Sequence, residues 1–526
     1  MTISVEPSLA KVKELLASSN GNIIPVYAEI PADLLTPVSA YLKIANSGGS
    51  SAMSFLLESV AGGEKIGRYS FIGARPYKIL TKASTSDDPT DGVRLTDAQA
   101  AAGDPLNMLE QELKGLRFIN VPGLPEFTGG AIGYIGYDCI KYFEPTTTER
   151  RLKDPLKLPE SVFMMCESII IFDNVRHVIK IVDHIRVDDA LTGGSARAAH
   201  IEARYAEAVK LIQSTVTLLM SSNDIPLPHQ PPVHLGYEFE SNISKEEHAE
   251  MVKKTVKHIE KGDIFQAVVG RRVSRRTDLH PFNAYRYLRT VNPAPYMFYV
   301  DLGDFQLVGA SPEVLSSVRV DRTCTVRPIA GTCRRGKDDA EDAASAARLL
   351  ADEKERAEHV MLVDLGRNDL NRVCQPDSVT VKSLMHIEKY SHVIHIVSDL
   401  EGKLRDDKTP FDMFRSAFPA GTLSGAPKVR AMQLISEFEG MKRGVYGGAV
   451  GHFDFSGGFD TCIAIRTMVF KDGVAYLQAG GGIVYDSKPE NEWEETVQKL
   501  GSNMTALQRA EELHYALQQQ QQQQQQ

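Results

Sequence analysis

The chain has few cysteines, and their spacing does not suggest a metal site or a disulfide framework. Only 6 cysteines occur in 526 residues, and no two stand at the Cys-x-x-Cys spacing of zinc sites and redox pairs. So few thiols in so long a chain favour a reducing compartment. No apolar run reaches the roughly 18 residues of a membrane span. The N-terminus, with Glu6 and Glu14, also lacks a signal-peptide core. We therefore predict a cytoplasmic protein that does not enter a membrane.

The chain also lacks an excess of positive charge and several common catalytic motifs. A net charge of -9 does not predict a nucleic-acid-binding surface, although a local basic pocket can still hold an anionic substrate. A nucleotide P-loop, a Rossmann glycine fingerprint and a Gly-x-Ser-x-Gly nucleophile elbow are all missing. There is no Gly-x-Cys-x-Gly segment of the kind found in glutamine amidotransferases. A reaction that consumes ammonia would therefore draw it from outside this chain.

Composition divides the sequence into four regions. Residues 1–221 are rich in short strand patterns and turns, and 222–243 read as a Pro-rich linker. Residues 244–515 carry the clearest periodic patterns, and 518–526 form a glutamine tail that composition predicts to be disordered.

The sequence patterns that predict helices and strands are clearest after the linker. Ser244 as N-cap and Glu247 as its capping-box partner predict a helix over 244–261. Asp472-Gly473 predicts a hairpin between two antiparallel strands. The remaining patterns predict helices at 198–220 and 339–364, and strands at 265–272, 378–388, 391–401, 446–454, 460–470 and 474–480.

Two acidic clusters lie on predicted helices. Glu355 and Glu358, three residues apart, share one helix face. A second group, Glu490 to Glu495, opens another helix. One carboxylate from each helix would suit magnesium, which takes one or two protein carboxylates and leaves its other positions to water and substrate. Alternatively, the first cluster is a solvated helix face and the second a set of acids favoured by the helix dipole.

Arg466 and a run of three glycines are candidates for holding an anion. Period-two alternation in the predicted strand 460–470 places Arg466 on the face of Cys462 and Ala464, where the small side chains leave room for a carboxylate. The run Gly480 to Gly482 ends a strand and would let backbone N–H groups approach an anion, or it is a plain bulge or turn. The loop 419–427 opens a helix, which also presents free N–H groups.

Two histidines lie on the predicted strand 391–401. His395 and His392 point to opposite faces of this strand, so only one of them can face a given cleft. Either is a candidate acid or base near neutral pH, or a structural side chain.

The order of these motifs resembles the chorismate-binding enzyme family. The residues that carry the resemblance are Gly262-Asp263-Ile264-Phe265-Gln266, Arg327-Pro328-Ile329-Ala330-Gly331-Thr332, Asp352-Glu353 to Glu358-His359, Val363 to Asp369, Phe418 to Lys428 and Gln478 to Gly482. The match is strong over about 245–510 and thinner before it. The resemblance implies an α/β (α+β) fold of two packed, largely antiparallel sheets flanked by helices.

The resemblance also implies roles for individual residues. It makes Glu358 and Glu495 the ligands of a Mg²⁺ cofactor. It makes His395, rather than His392, the catalytic histidine, with Thr422, Gln266 and Glu355 as further candidates. The chorismate contacts that it implies are Gly331, Thr332, Tyr446, Arg466, Gly480, Gly481 and Gly482.

Two positions favour the anthranilate-forming branch of the family. The branch that makes aminodeoxychorismate commonly carries a nucleophilic lysine where this chain has Ala330. Isochorismate-forming enzymes usually carry a water-activating lysine near Gln266, and an amide is a poor base. We therefore predict a lyase that converts chorismate and ammonia to anthranilate and pyruvate in tryptophan biosynthesis, with a glutamine amidotransferase partner supplying the ammonia. The alternative is the aminodeoxychorismate-forming component.

The resemblance further implies feedback inhibition by L-tryptophan. Segments 56–59 and 292–297 resemble the family's feedback site, although Ala294 stands where some members have serine. Otherwise these segments are a buried strand and a turn. The predicted contacts are Ser59, Arg68, Pro295, Tyr296 and Met297.

Overall fold

Two large β-sheets pack face to face beneath a cover of helices. The structure is a computed structural model, and it describes residues 3–46, 53–61, 65–84, 97–147, 151–190, 194–222, 224–390 and 393–525. Within these ranges the larger sheet has 12 strands and the smaller has 10. The ladders of both sheets run antiparallel. The predicted fold class is confirmed.

The elements are numbered here in chain order. The strands are β1 Ile23–Pro31, β2 Ser54–Glu58, β3 Val60–Ala61, β4 Lys65–Ile66, β5 Tyr69–Ala74, β6 Lys78–Lys82, β7 Gly130–Ile135, β8 Ser161–Cys166, β9 Ile169–Asp173, β10 Val178–Arg186, β11 Glu240–Ser241, β12 Gln266–Arg276, β13 Tyr296–Asp301, β14 Phe305–Ser311, β15 Val314–Val318, β16 Thr323–Val326, β17 Ile329–Arg334, β18 Thr380–Lys389, β19 Val393–Lys403, β20 Gly425–Ala426, β21 Ala449–Asp454, β22 Phe459–Ile463, β23 Thr467–Lys471 and β24 Val474–Ile483. The helices are α1 Leu9–Ser18, α2 Pro37–Asn46, α3 Asp97–Gly103, α4 Pro105–Leu113, α5 Ile140–Phe143, α6 Gly194–Met220, α7 Lys245–Glu260, α8 Pro281–Val291, α9 Asp339–Ala351, α10 Glu353–Asn371, α11 Pro410–Ala417, α12 Lys428–Glu439 and α13 Pro489–Gln525.

Both sheets mix strands from the two ends of the chain. The larger sheet has the order β1-β10-β9-β5-β2-β13-β14-β23-β24-β12-β11, with β20 also paired to β12. The smaller has the order β17-β19-β16-β15-β22-β21-β7-β8-β6, with β18 also paired to β19. Strands from before and after the predicted linker are thus neighbours at β2–β13 and at β7–β21.

Apolar side chains from the two sheets form the central core. Phe298 and Leu307 of the larger sheet meet Tyr134 and Val450 of the smaller one, and all four are buried. Burying each such side chain contributes about 1.5–3 kcal/mol. Helices α6, α8 and α13 cover the outer face of the larger sheet, and α10 and α11 pack on the smaller. This arrangement places α10 and α13 on either side of the ends of β12 and β24.

Local sequence signals explain where several elements begin and turn. Helix α7 follows Ser244, whose hydroxyl accepts from the Glu247 N–H at 3.1 Å, while the Glu247 carboxylate accepts from the Ser244 N–H at 2.7 Å. Asp472 and Gly473 join β23 to β24, and both have positive φ, as a tight hairpin requires. The predicted capping box and hairpin are confirmed.

The single helix predicted over 339–364 is wrong, because the structure has two helices that part at Asp352. The Asp352 carboxylate accepts from the backbone N–H groups of Lys354 at 2.9 Å and Glu355 at 3.1 Å. An aspartate in extended backbone is a strong N-cap, so it starts a new helix, α10. This helix carries Glu358 to Gln266 at the start of β12 and Glu355 to Gly331 of β17.

The last helix is longer than composition predicts. Composition predicts disorder for 518–526, whereas α13 continues to Gln525. Glutamine is a good helix former, and adding residues to an existing helix avoids the cost of nucleation. The Gln518 side chain also accepts a hydrogen bond from the Val233 N–H of the Pro-rich segment at 3.0 Å. Among the described residues, no helix is long and apolar enough to cross a membrane.

Candidate active site

Arg466 stands where the chain crosses from one sheet to the other. Strand β22 belongs to the smaller sheet and ends at Ile463, and β23 belongs to the larger sheet and begins at Thr467. The single strand predicted over 460–470, with its alternating faces, is therefore wrong. Arg466 has φ 51°, which is uncommon for a residue with a side chain and is associated with functional sites. Burial lowers the pKa of its guanidinium, and the charges of Tyr446, Glu313 and Glu495 oppose that shift.

The glycine run continues the ladder of the larger sheet. Gly480, Gly481 and Gly482 pair with β12 in regular register, so the run is not a bulge. A Cβ on Gly482 would collide with the Gln266 amide, and one on Gly481 would lie 2.9 Å from Glu492 Oε2. The glycines are therefore required because polar side chains close over the strand.

Glu358, Glu492 and Glu495 lie beside this glycine run, and Glu355 is close enough to feel two of their charges. A Cβ on Gly482 would lie 3.7 Å from Glu358 Oε1, and one on Gly481 would lie 3.8 Å from the Glu495 carboxyl carbon. Burial raises the pKa of Glu355, and the charges of Glu358 and Glu495 raise it further. Burial likewise raises the pKa of Glu492. The predicted metal ligands, Glu358 on α10 and Glu495 on α13, thus lie beside adjacent glycines, and both act on the carboxyl group of Glu355.

The residues present fit a magnesium ion. Glu358 accepts from Gln266 Nε2 at 3.0 Å, and Glu495 pairs with Lys499 at 2.7 Å. Gln266 Oε1 and Glu492 Oε2 are buried oxygens without a hydrogen-bond partner among the described residues, and unpaired buried acceptors are costly unless a cation or water satisfies them. Over the ranges that the structure describes, no group of three or more His, Cys, Asp or Glu side chains is arranged to hold a metal ion. Two carboxylates with positions left for water and substrate are the donor set that magnesium takes.

His395 lies on β19, between Thr332 of β17 and Glu388 of β18. Its Nδ1 lies 3.0 Å from Thr332 Oγ1 and 3.2 Å from the Gly331 carbonyl oxygen. Burial lowers the pKa of His395 to about 4, so the ring is neutral at pH 7. His392 lies outside the described residues.

A bulge in β17 brings Gly331 close to the Glu355 carboxyl group. Gly331 has φ 73°, and a Cβ there would lie 3.0 Å from Glu355 Oε2. Glycine is favoured at this position for both reasons. Tyr446 is buried, which raises its pKa to about 12, and its hydroxyl meets the backbone of Gly480. The predicted substrate contacts therefore converge from β17, β24 and the segment before β21.

Glu313 is a site residue that the sequence did not predict. It is 7% exposed between β14 and β15, and burial raises its pKa to about 8. Its Oε1 accepts from Thr422 Oγ1 at 2.9 Å, and the positive charges of Arg466 and Lys499 partly oppose the shift. A carboxylic acid that keeps its proton at neutral pH is a candidate general acid. The signal for it was a lone acid within an otherwise uncharged stretch, Val308 to Val314.

A separate cavity of about 240 Å³ lies between the two sheets. We call it the aromatic cavity, since Tyr69, Phe71 and Tyr296 form much of its wall. Four of the predicted tryptophan contacts also line it, namely Ser59, Pro295, Tyr296 and Met297. Arg68 is not part of this lining, because it is half exposed and pairs with Asp173 at 3.1 Å. Polar groups in the wall include Glu58, Arg327, His452 and Asp460.

Comparisons with known proteins identify the family of this chain. A family model for chorismate binding enzyme matches residues 54–505. The chain is 50% identical over 513 residues to the probable anthranilate synthase component 1 of Schizosaccharomyces pombe, covering 97% of this chain and 98% of that one. It is 49% identical over 519 residues to anthranilate synthase component 1 of Saccharomyces cerevisiae, with the same two coverages.

Solved structures share the fold. Anthranilate synthase component I from Streptococcus pneumoniae superposes with a TM-score of 0.67 at 34% identity, covering 90% of this chain and 98% of that one. The menaquinone-specific isochorismate synthase of Escherichia coli gives a TM-score of 0.64 at 18% identity, covering 95% and 99%, which bears on the fold alone. The family match, the relatives and the geometry of the site together show that this chain belongs to the chorismate-binding enzyme family.

Proposed function

We propose that the chain is the chorismate-converting component of an anthranilate synthase, forming anthranilate and pyruvate from chorismate and ammonia. The observation that carries the proposal is the meeting of Glu358, Glu495, Arg466 and a protonated Glu313 around one glycine-lined cleft. The names of the relatives, all component 1 of this enzyme, support the same reaction.

In the proposed reaction, the substrate is bound by Arg466 and by the magnesium site of Glu358 and Glu495. The buried guanidinium holds the enolpyruvyl carboxylate of chorismate, since its planar fork matches a carboxylate. Glu358 and Glu495 would hold a magnesium ion, which neutralises the ring carboxylate and fixes its pose when bound. The backbone of Gly480 to Gly482 lies beside that carboxylate.

Glu313 is the general acid of the proposal. Ammonia adds at ring C2 while the C4 hydroxyl departs, and that oxygen must receive a proton. With a pKa of about 8, Glu313 keeps its proton at neutral pH, and Thr422 fixes the carboxyl by donating to Oε1. Glu355 lies near Gly331, Glu358 and Glu495, so we assign it an electrostatic effect on the magnesium site and not the role of general acid.

His395 is the candidate base for the loss of the C2 proton. A carbonyl oxygen only accepts, so the ring nitrogen facing Gly331 carries the hydrogen, and Nε2 then has a free lone pair. The lowered pKa keeps the imidazole neutral and able to accept a proton. Loss of this proton and of pyruvate gives the aromatic ring.

Two side chains favour this branch over its relatives. Ala330, 9% exposed on β17, offers no nucleophile beside the ring, which disfavours the aminodeoxychorismate branch. Gln266 donates its amide N–H to Glu358 and is not a base for activating water. Since the chain has no amidotransferase cysteine segment, we propose that a glutamine amidotransferase subunit supplies the ammonia.

We also propose that L-tryptophan binds the aromatic cavity and inhibits the enzyme. The cavity is apolar with a few polar groups, which is the usual character of a site for a small aromatic ligand. Asp460 accepts from the Tyr296 hydroxyl at 3.0 Å, so a carboxylate is in place to meet the ligand's ammonium group.

Purified protein mixed with chorismate, ammonium and magnesium tests the reaction. We expect anthranilate fluorescence with equal release of pyruvate. Gly482→Ala should lower kcat/KM by roughly 10²-fold, because the added methyl collides with Gln266 and displaces Glu358. The matched control is Gly501→Ala, since a methyl at Gly501 meets no atom of the described residues within 4 Å. A product that keeps the enolpyruvyl ether would instead assign the chain to the aminodeoxychorismate branch.

A further inference from the structure

Arg327 lies in the walls of two cavities. It lines the aromatic cavity beside Tyr296 and Asp460. It also lines a smaller cavity of about 30 Å³ that contains Glu313 and Thr422 of the catalytic cleft. One guanidinium therefore separates the proposed tryptophan site from the proposed general acid.

Two carboxylates fix the guanidinium in this position. Arg327 Nε donates to Asp399 Oδ1 at 2.7 Å, and Arg327 Nη2 pairs with Glu388 Oε1. The side chain is 28% exposed, so solvent does not fully screen these pairs. A planar fork that holds two acids at once is a geometry that arginine provides and lysine does not.

The contacts continue from Glu388 to the catalytic histidine. The second oxygen of Glu388 accepts from the Tyr390 hydroxyl at 2.7 Å. The ring of the buried Tyr390 meets the ring of His395 edge-on, with centroids 5.4 Å apart. Glu388 is also the direct cross-strand partner of His395 in the β18–β19 ladder. Three consecutive contacts thus connect the wall of the aromatic cavity to His395.

We propose that Arg327 is a positioning residue through which a ligand in the aromatic cavity controls His395, by way of Glu388 and Tyr390. The inference rests on the proposed binding of tryptophan. The carboxylate of an amino acid in the cavity competes with Glu388 for the guanidinium, which is a differential interaction of the kind that a ligand-driven change requires. When Glu388 loses Arg327, Tyr390 loses its fixed acceptor and the packing on His395 changes.

Two variants separate binding from inhibition. Arg327→Lys keeps the charge but cannot hold Glu388 and Asp399 together, and Tyr390→Phe keeps the ring but removes its bond to Glu388. In both we expect tryptophan still to bind, measured by titration calorimetry. The tryptophan concentration for half-inhibition of ammonia-dependent turnover should rise within the roughly 5–150-fold range of allosteric coupling.

Arg319→Lys is the matched control. Arg319 also pairs with an acid of β19, Glu401 at 2.9 Å, but it lines neither cavity. This variant should bind tryptophan and be inhibited like the wild type.

The inference is overturned if Arg327→Lys and Tyr390→Phe are inhibited as strongly as the wild type. It is also overturned if Arg327→Lys loses tryptophan binding altogether, since the loss of inhibition then reflects an empty cavity and not a broken connection to His395. Wild-type protein that neither binds tryptophan nor responds to it would overturn the effector proposal itself, and the role of Arg327 with it.

Discussion

Glu313 combines two properties that depend on the same burial. The surrounding apolar groups raise its pKa to about 8, which keeps a proton available at neutral pH. They also make ionisation of Glu313 unfavourable in the folded state. The folded protein binds more protons here than the unfolded chain between the ordinary 4.5 and about 8. Through this group, stability therefore falls as pH rises across that window.

Glu313→Gln tests both properties. We expect kcat to fall by roughly 10²–10⁴-fold, the usual contribution of a general acid. Wild-type kcat should decline as pH rises through about 8, and this limb should be absent from the variant. Thermal melts should show a smaller loss of stability for the variant across the same window. Glu494→Gln, at an exposed acid on α13, is the control for activity, and an unchanged alkaline limb in Glu313→Gln would contradict the assignment.

Ordered motifs in the sequence named residues that the structure places near one another, but they could not find a residue whose chemistry depends on burial. Glu358, Glu495 and Arg466 could be named from ordered motifs, and the structure brings them to one cleft. Glu313 could not be, because a single acid between two strands has the same pattern whether it faces solvent or the core. Its raised pKa comes from residues distant in the sequence.

Helix α13 carries both a proposed metal ligand and the only tryptophan of the chain. Trp493 lies one residue from Glu492 and two from Glu495. The guanidinium of Arg271 stacks over its ring at 3.9 Å, and His248 meets it edge-on. A change in the first turns of α13 therefore alters the surroundings of a single fluorophore.

Titration with magnesium alone should thus change the tryptophan emission. Glu495→Gln should weaken the apparent affinity for magnesium by about 10-fold or more, since half of the anionic donor pair is lost. Glu494→Gln, on the same helix but exposed, should titrate like the wild type. An equal midpoint for Glu495→Gln and the wild type would show that the ion binds elsewhere.

Among helices and strands, predictions from a few neighbouring residues were correct. Predictions that extended one helix or strand over a long periodic segment were wrong. The capping box of α7 and the Asp472-Gly473 turn depend on neighbouring residues, and both were predicted. The interruption at Asp352 and the crossing at Arg466 occur inside segments with unbroken periodicity. A helical or alternating pattern indicates that one face is buried, but it does not indicate where a helix breaks or where the chain leaves one sheet for another.

The whole molecule depends on pairing between distant parts of the chain. Strand β2 joins β13, and β7 joins β21, so residues on both sides of the Pro-rich segment complete both sheets. The composition change at 222–243 predicts a linker, but it contains no information about these pairings.

A protease site inserted after Leu227, which is 62% exposed, tests this interdependence. After cleavage we expect the two fragments to co-elute in native size-exclusion chromatography and to separate only in denaturant. Each fragment produced alone should lack cooperative unfolding, because it exposes unpaired strand edges. Two independently folded fragments, each with its own sharp transition, would contradict the shared-sheet architecture.

The position of Arg466 has a consequence for the molecule as a whole. The residue that we assign to the substrate carboxylate stands on Ala464 to Arg466, the short bridge between the two layers. Any rotation of one layer against the other changes the direction in which this guanidinium points, even if the other side chains of the cleft do not move. Substrate affinity therefore depends on the angle between the layers. A substitution that repacks the buried Phe298 or Val450 should change KM, although neither side chain lies in the cleft.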